Sequence, residues 1–289
     1  LDPTRPIYHH QSGNLGDMHT VNIYLNWAPR QERSDWMEHW ATTGVKPVFF
    51  VEWGLPHVSS WSSYRGPQFI WRCDAFQSVW DSEFASAYVG EEAYRMTENK
   101  VQSLALEERF WATGKPFHWG QLIQHLRVEE NYYQIQSLFA ADNWRAHRTW
   151  GVSAMLPWDQ EGLWKSAKPA EPIPAAEGRK NLQAPGIVPD VLRPSHTYIY
   201  GRPDEAYEPT SLGKTFLRWN KAKIGYVGGA PRFTEKGHNV LPGETVRKQL
   251  VMLNDARRET ACAWQWTLAP GKAKGEGKAT IAPGDQSLV

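Results

Sequence analysis

Cysteine is nearly absent. Cys73 and Cys262 are the only two in 289 residues, which excludes a disulfide-stapled scaffold. Neither has the spacing to histidine or to a second cysteine that a metal site needs, so both read as free buried thiols. A charge of one sign is also missing. With 32 Lys and Arg against 31 Asp and Glu the formal net charge is +1, and no overall field draws the chain to nucleic acid or to an anionic membrane. No apolar run nears the roughly 20 residues of a membrane-spanning helix. The opening LDPTRPIYHH lacks the basic-then-apolar plan of a secretory signal. There is no phosphate loop, no nucleotide fingerprint and no Ser-His-Asp order, and no cofactor is implied.

What is plentiful is tryptophan, 16 residues, most of them before residue 165. Packing is the default account of large rings, although indole faces also stack on sugars. The first 165 residues alternate short apolar runs with helical stretches, the pattern of strand–helix units around a parallel sheet. Strands are expected at Ile7–His10, Val21–Leu25, Val48–Val51 and Val152–Leu156, and helices near residues 34–44, 74–112 and 129–150, the last stopped by Gly151. On that last helix Tyr132, Ile135, Leu138 and Phe139 fall on one side. Residues 166–222 are rich in Pro, Ala and Gly and read as an extended linker. Residues 223–289 carry short alternating runs with turn signals between them, which reads as an antiparallel β-sandwich. The fold class is α/β followed by all-β.

Chemistry collects at the strand ends. The four strand candidates finish at His9-His10, at Tyr24 with Asn26-Trp27, at Glu52-Trp53 and at Trp158-Asp159. In a parallel α/β barrel the active site is built from such carboxyl ends. A carboxylate ringed by Tyr, His and Trp suits glycosyl transfer, because the oxocarbenium-like transition state needs an anion beneath the ring. A solvated carboxylate at a sheet rim is the plainer reading of Glu52. Asn22 shares a face with Tyr24 by the two-residue period, so it binds a sugar hydroxyl or fills the interior. His9 and His10 point to opposite faces, and His10 is the one nearer the tip. Their spacing argues against a metal site.

In order, DPTRPI, NIYLNW, FVEWG and LPWDQ resemble the second half of a clan A glycoside hydrolase, most closely glycoside hydrolase family 2, the β-galactosidase, β-glucuronidase and β-mannosidase group. The resemblance implies an incomplete (β/α)8 TIM barrel, strands 5 to 8, over residues 1–165, and a partial immunoglobulin-like β-sandwich over 223–289. It implies Glu52 as the catalytic nucleophile and Tyr24 as the donor that orients it. His10, Asn22, Trp27, Trp53, Trp158 and Asp159 are then substrate-binding candidates. Trp53 lines a subsite or packs beneath a loop, and Asp159 binds a hydroxyl or caps a turn.

One departure matters. The family's acid/base is the Glu of an Asn-Glu pair, and the sequence holds no such dipeptide. The expectation is therefore a fragment of a retaining β-glycoside hydrolase, inactive alone because its acid partner is missing. By analogy with the family, the intact protein is expected in the periplasm or outside the cell. The rival is a non-catalytic carbohydrate-binding or surface-assembly protein using the same aromatic tips. The expected partner in either case is a carbohydrate.

Overall fold

The computed structural model describes residues 2–25, 28, 32–33, 37–55, 86–91, 130–158, 160–167, 173–174, 191–192, 206–230, 234 and 240–289. The first region is built on β1 (His19–Ile23), α1 (Glu38–Thr43), β2 (Val48–Trp53), α2 (Ser86–Val89), α3 (Glu130–Thr149) and β3 (Ala154–Pro157). The three strands lie side by side in the order β1-β2-β3, and both pairs are parallel. Parallel neighbours need long crossovers, and α1 and α3 lie in them. Among the described residues this sheet is open, with no ring of strands closed.

Ile7–His10, expected as a strand, is not one. Both faces of the segment are exposed, and its contact with the sheet's apolar surface is limited to the Tyr8 ring on Phe49, with centroids 5.7 Å apart. It is held beside β1 by polar contacts instead. The Ile7 N–H donates to Asp17 at 2.6 Å, the Thr20 hydroxyl donates to the His9 carbonyl, and Gly13 bridges antiparallel to Thr20. Three parallel strands stand where four were expected.

α3 is the expected helix of residues 129–150. It stops at Gly151, whose φ of 72° is the left-handed conformation that ends helices. Ile135 and Phe139 are buried as the periodicity required, whereas Leu138 is 41% exposed. The buried surface reaches round through Tyr133, Gln136, Trp144 and His147, because the helix packs on two sides. One side meets Val48, Phe50 and Trp53 of β2 in a single core, and the other meets a helix the sequence reading did not place.

That helix is α4 (Ser211–Trp219), inside the stretch read as linker. It follows β4 (Trp164–Ser166), the two-residue pair β5 (Ile173–Pro174) and β6 (Val191–Leu192), and β7 (Tyr207–Pro209), which pairs antiparallel with β4. Thr210 caps α4 by accepting from the Gly213 N–H at 3.1 Å. Leu212 and Phe216 enter the core against Trp53 and Trp144. Leu212, Phe216 and Trp219 fall at helical spacing, so this short helix is amphipathic, and its place at the end of a Pro-, Ala- and Gly-rich stretch is what hid it.

From residue 223 onward the described residues form strands only: β8 (Lys223–Val227), β9 (Leu250–Asn254), β10 (Thr260–Thr267), β11 (Lys274–Ile281) and β12 (Asp285–Leu288). They make an antiparallel sheet in the order β12-β9-β8 and a separate β10–β11 hairpin. Cys262 is free, and Cys73 lies outside the described residues. The last turn of α3 ties the two regions together. Arg148 pairs with Asp255, the Thr149 hydroxyl meets that of Tyr226 at 2.7 Å, and the Arg145 guanidinium lies 4.5 Å over the Trp219 ring.

Candidate active site

Strict alternation along β2 from Val48 and Phe50 would put Glu52 on the face that packs against α3. A carboxylate there would be desolvated without a partner, at a cost of several kcal/mol. The register shows how this is avoided. Val21 pairs with Phe50, but the next residue, Asn22, pairs with Glu52. β2 carries one extra residue at Val51, a β-bulge that turns everything beyond it to the other face. Glu52 therefore joins Asn22 and Tyr24 on the open face, and Trp53 turns towards α3.

Glu52 sits at the carboxyl end of the sheet with its side chain 16% exposed. The Tyr24 hydroxyl donates to Oε2, and His10 Nε2 lies 3.2 Å from Oε1. Each oxygen has its own partner, so the plane of the carboxylate is fixed. Gly54 is part of that arrangement. A β-carbon there would stand 2.0 Å from Tyr24 Cδ1, so only glycine lets the tyrosine ring lie over the backbone beyond Glu52. The Glu-Trp-Gly run thus has a spatial meaning: the carboxylate faces out, the indole faces in, and the glycine makes room for the phenol.

Asn22 extends the cluster. Its Nδ2 lies 3.3 Å from His10 Nε2 and 3.1 Å from Gln11 Oε1, while its Oδ1 is buried with no protein partner. His10 Nε2 is therefore placed between a carboxylate, which calls for a donor, and an amide nitrogen, which calls for an acceptor. One imidazole nitrogen serves only one of them at a time. A proton on Nε2 serves Glu52, and the Asn22 amide then meets the ring with its oxygen, after exchanging the positions of Oδ1 and Nδ2.

Four of the expected site residues are thus brought together: His10, Asn22, Tyr24 and Glu52. His9 is not among them; it is exposed, and its carbonyl accepts from Thr20. Trp158 follows β3 on the same rim, its backbone N–H donating to the Trp53 carbonyl at 3.0 Å and the residue 52% exposed. Trp27 and Asp159 lie outside the described residues. Trp53, expected to line a subsite, does not. It is 2% exposed and packs edge-to-face on Trp144 and Phe216, with Phe139 nearby. The bulge is the reason.

Trp53 has a polar partner of its own that the sequence did not suggest. Its Nε1–H donates to His147 Nδ1 at 3.1 Å. Indole nitrogen only donates, so Nδ1 is the acceptor and the His147 proton sits on Nε2, which donates to the Arg33 carbonyl at 3.3 Å. Burial disfavours the charged ring and pulls its pKa down to about 4, with the Arg33 bond opposing. His147 is thus a neutral strut behind the sheet.

Gln11 was also missed. Its φ of 50° and its bond to Asn22 are invisible in a sequence. Among the described residues no group of three His, Cys, Asp or Glu is placed to hold a metal, and no helix is long and apolar enough to cross a membrane. Chemically the cluster offers an oriented carboxylate with a phenol on one oxygen and an imidazole on the other, opening to solvent. Comparison with known proteins finds no match: no family model, no curated protein and no solved structure is similar to the chain.

Proposed function

We propose that this chain carries the nucleophile half of a retaining β-glycoside hydrolase active site, related to glycoside hydrolase family 2, with Glu52 as the nucleophile. On this reading the three parallel strands belong to a (β/α)8 barrel and residues 223–289 to an immunoglobulin-like sandwich. The observation that carries the proposal is the paired support of Glu52 at a strand's carboxyl end. Tyr24 and His10 hold its two oxygens, so the carboxylate is aimed rather than free to rotate. An aimed anion is worth most where positive charge develops, as at the anomeric carbon in glycosyl transfer.

In the mechanism proposed, Glu52 attacks the anomeric carbon from beneath the ring, the glycosidic C–O bond breaks, and a glycosyl ester forms. Water later attacks that ester with the other carboxyl group as base, which releases the sugar with retained configuration. The group that protonates the leaving oxygen is proposed to lie outside this chain, since the sequence has no Asn-Glu pair. The ring of the half-exposed Trp158 is proposed as a sugar platform on the rim. His10 and Asn22 are proposed to contact hydroxyl groups.

The test follows from the missing acid. A dinitrophenolate leaves without protonation, so activated 2,4-dinitrophenyl 2-deoxy-2-fluoro glycosides bypass the acid and trap the ester. We expect one of the β-galactoside, β-glucuronide or β-mannoside reagents to label the chain. Peptide mapping is expected to place the label on Glu52, and Glu52→Gln is expected to remove it. Label on any other residue overturns the assignment. Binding of β-glycosides with no label under these conditions would favour the non-catalytic carbohydrate-binding reading.

A further inference from the structure

Glu52 is held from two directions, and its two supports are themselves held in different ways. Tyr24 follows directly on β1, and its ring is seated over Gly54. His10 reaches Oε1 from the exposed segment before β1, with half of its side chain open to solvent. A side chain so little packed keeps one direction only if its backbone aims it, because ordering a loose rotamer costs entropy.

The backbone on both sides of His10 is held, and Thr20 stands at the centre of that hold. It is buried on β1, two residues before Asn22 and so on the same face. Its hydroxyl donates to the His9 carbonyl and accepts from the Ser12 N–H at 3.2 Å. The Ser12 hydroxyl in turn donates to the His10 carbonyl at 3.1 Å. A peptide unit is planar. A fixed His9 carbonyl therefore fixes the plane that ends at the His10 α-carbon, and a fixed His10 carbonyl fixes the plane that begins there. Together the two planes set the direction in which the imidazole leaves the chain. The bonds that Thr20 makes cannot be reversed: the carbonyl only accepts, the backbone N–H only donates, and one hydroxyl does both at once.

We propose that Thr20 is a positioning residue of the candidate active site: its hydroxyl fixes the turn of residues 9–12 and so holds the His10 ring on Glu52 Oε1. The base of the segment is pinned separately. Asp17 accepts from the Ile7 N–H at 2.6 Å, and its own N–H donates to the Ile7 carbonyl at 3.1 Å. Lys46 Nζ donates to the Asn14 and Gly16 carbonyls at 2.6 and 2.7 Å. The Thr20 hydroxyl is left with the tip alone. β1 thus serves both oxygens of Glu52, Oε2 directly through Tyr24 and Oε1 through Thr20 and His10. The proposal rests on the glycosidase reading only for its catalytic consequence.

The test uses this chain with Thr20→Val, which exchanges the hydroxyl for a methyl at a strand position that favours a branched side chain. Thr20→Ser is the partner variant that keeps the hydroxyl. Kinetics are read with the dinitrophenyl 2-fluoro glycoside that labels the native chain fastest. For Thr20→Val we expect inactivation about tenfold slower, with inactivator affinity within about twofold. Thr20→Ser should recover most of the rate. In a His10→Ala background Thr20→Val should change the rate by less than about twofold, because the hydroxyl acts through the ring. A native rate in Thr20→Val, or equal slowing with and without His10, would overturn the proposal.

Two spectroscopic readouts need no turnover. Glu52→Gln should displace the His10 ring 1H–13C resonances in the native background and far less in the Thr20→Val background. Equal displacement in both would overturn the proposal. In the unmodified chain the Thr20 hydroxyl proton should exchange with water slowly enough to give its own resonance, and a rapidly exchanging one would contradict the bond to His9. Should the native chain take no label on Glu52, the glycosidase reading fails, and the spectra alone decide the role of Thr20.

Discussion

Two faces of strand β2 end one residue apart in opposite environments. On one, Trp53 is buried among Phe139, Trp144, His147 and Phe216, and its single polar atom is matched by a neutral histidine. On the other, Glu52 keeps a narrow opening to solvent between a tyrosine hydroxyl and an exposed histidine. Each face has a histidine, and each uses it differently. His147 is fully buried, so its ring resists charging. His10 keeps 53% of its side chain exposed, so solvent reaches it. The difference teaches that a sheet can place a charged group and a large apolar one side by side in sequence, provided one inserted residue resets the alternation between them.

The most direct way to break that contrast is to delete Val51. Strict alternation would then send Glu52 into the α3 core and Trp53 into solvent. We expect a loss of about 5 kcal/mol or more, read as failure to fold cooperatively in urea. Retained folding with Glu52 still reactive would show that the bulge is not what sorts the two faces.

Trp53→Ala attacks the dry face alone. It removes a fully buried indole from the core and strands the His147 acceptor, so about 3–5 kcal/mol should be lost in denaturant titration. A change below ~1 kcal/mol would mean the indole is not packed as described.

Acid attacks the same face through His147. Its folded pKa is about 4 against an ordinary 6.5. Between those values the unfolded chain takes up a proton that the folded one refuses, so stability rises with pH across that window. The full contribution is present above pH 6.5 and is lost progressively as pH falls to about 4. The size is about 3 kcal/mol. Urea midpoints measured from pH 7 to 4 check it, and in His147→Gln the slope in this window should flatten.

On the wet face, Gly54→Ala forces the Tyr24 ring away from its seat. We expect about 1–3 kcal/mol of destabilisation and a fall in the Glu52 labelling rate of about a hundredfold. The smallest stability effect is expected from Glu52→Gln, within about 1 kcal/mol, because the Tyr24 hydroxyl and the His10 ring can each accept from an amide in place of donating to the carboxylate. That near-neutrality set against lost labelling would sharpen the contrast most. Strong destabilisation would instead make Glu52 a structural group.

The cluster of His10, Asn22, Tyr24 and Glu52 was legible because strand ends are read directly from apolar runs and the residues that close them. The expected Val48–Val51 lies within the observed Val48–Trp53, and the expected Val21–Leu25 overlaps the observed His19–Ile23. Trp53 was misplaced for the same reason: reading a tip as a unit ignores which face each residue takes, and the bulge at Val51 leaves no mark in composition. Ile7–His10 reads apolar and β-prone, yet it stays exposed and meets the sheet's apolar surface only through Tyr8 on Phe49. α4 lay hidden because the Pro- and Ala-rich composition before it set the reading of the whole stretch, although Thr210 as a cap and Leu212, Phe216 and Trp219 at helical spacing mark it.

Local sequence by itself marked the runs that became β1, β2 and β3, where the long helix runs and stops, and that a carboxylate lies beside aromatic groups at a strand's end. Those follow from side-chain period, from glycine at a helix terminus and from β-branched runs, all of which act over a few residues. Only the tertiary structure decided which way Glu52 and Trp53 face, that Gly54 must yield space to a ring 30 residues earlier, and that Thr20 and His147 matter. Each of those depends on the register between strands or on contact across layers, and such energies belong to pairs that the chain brings together only when it folds.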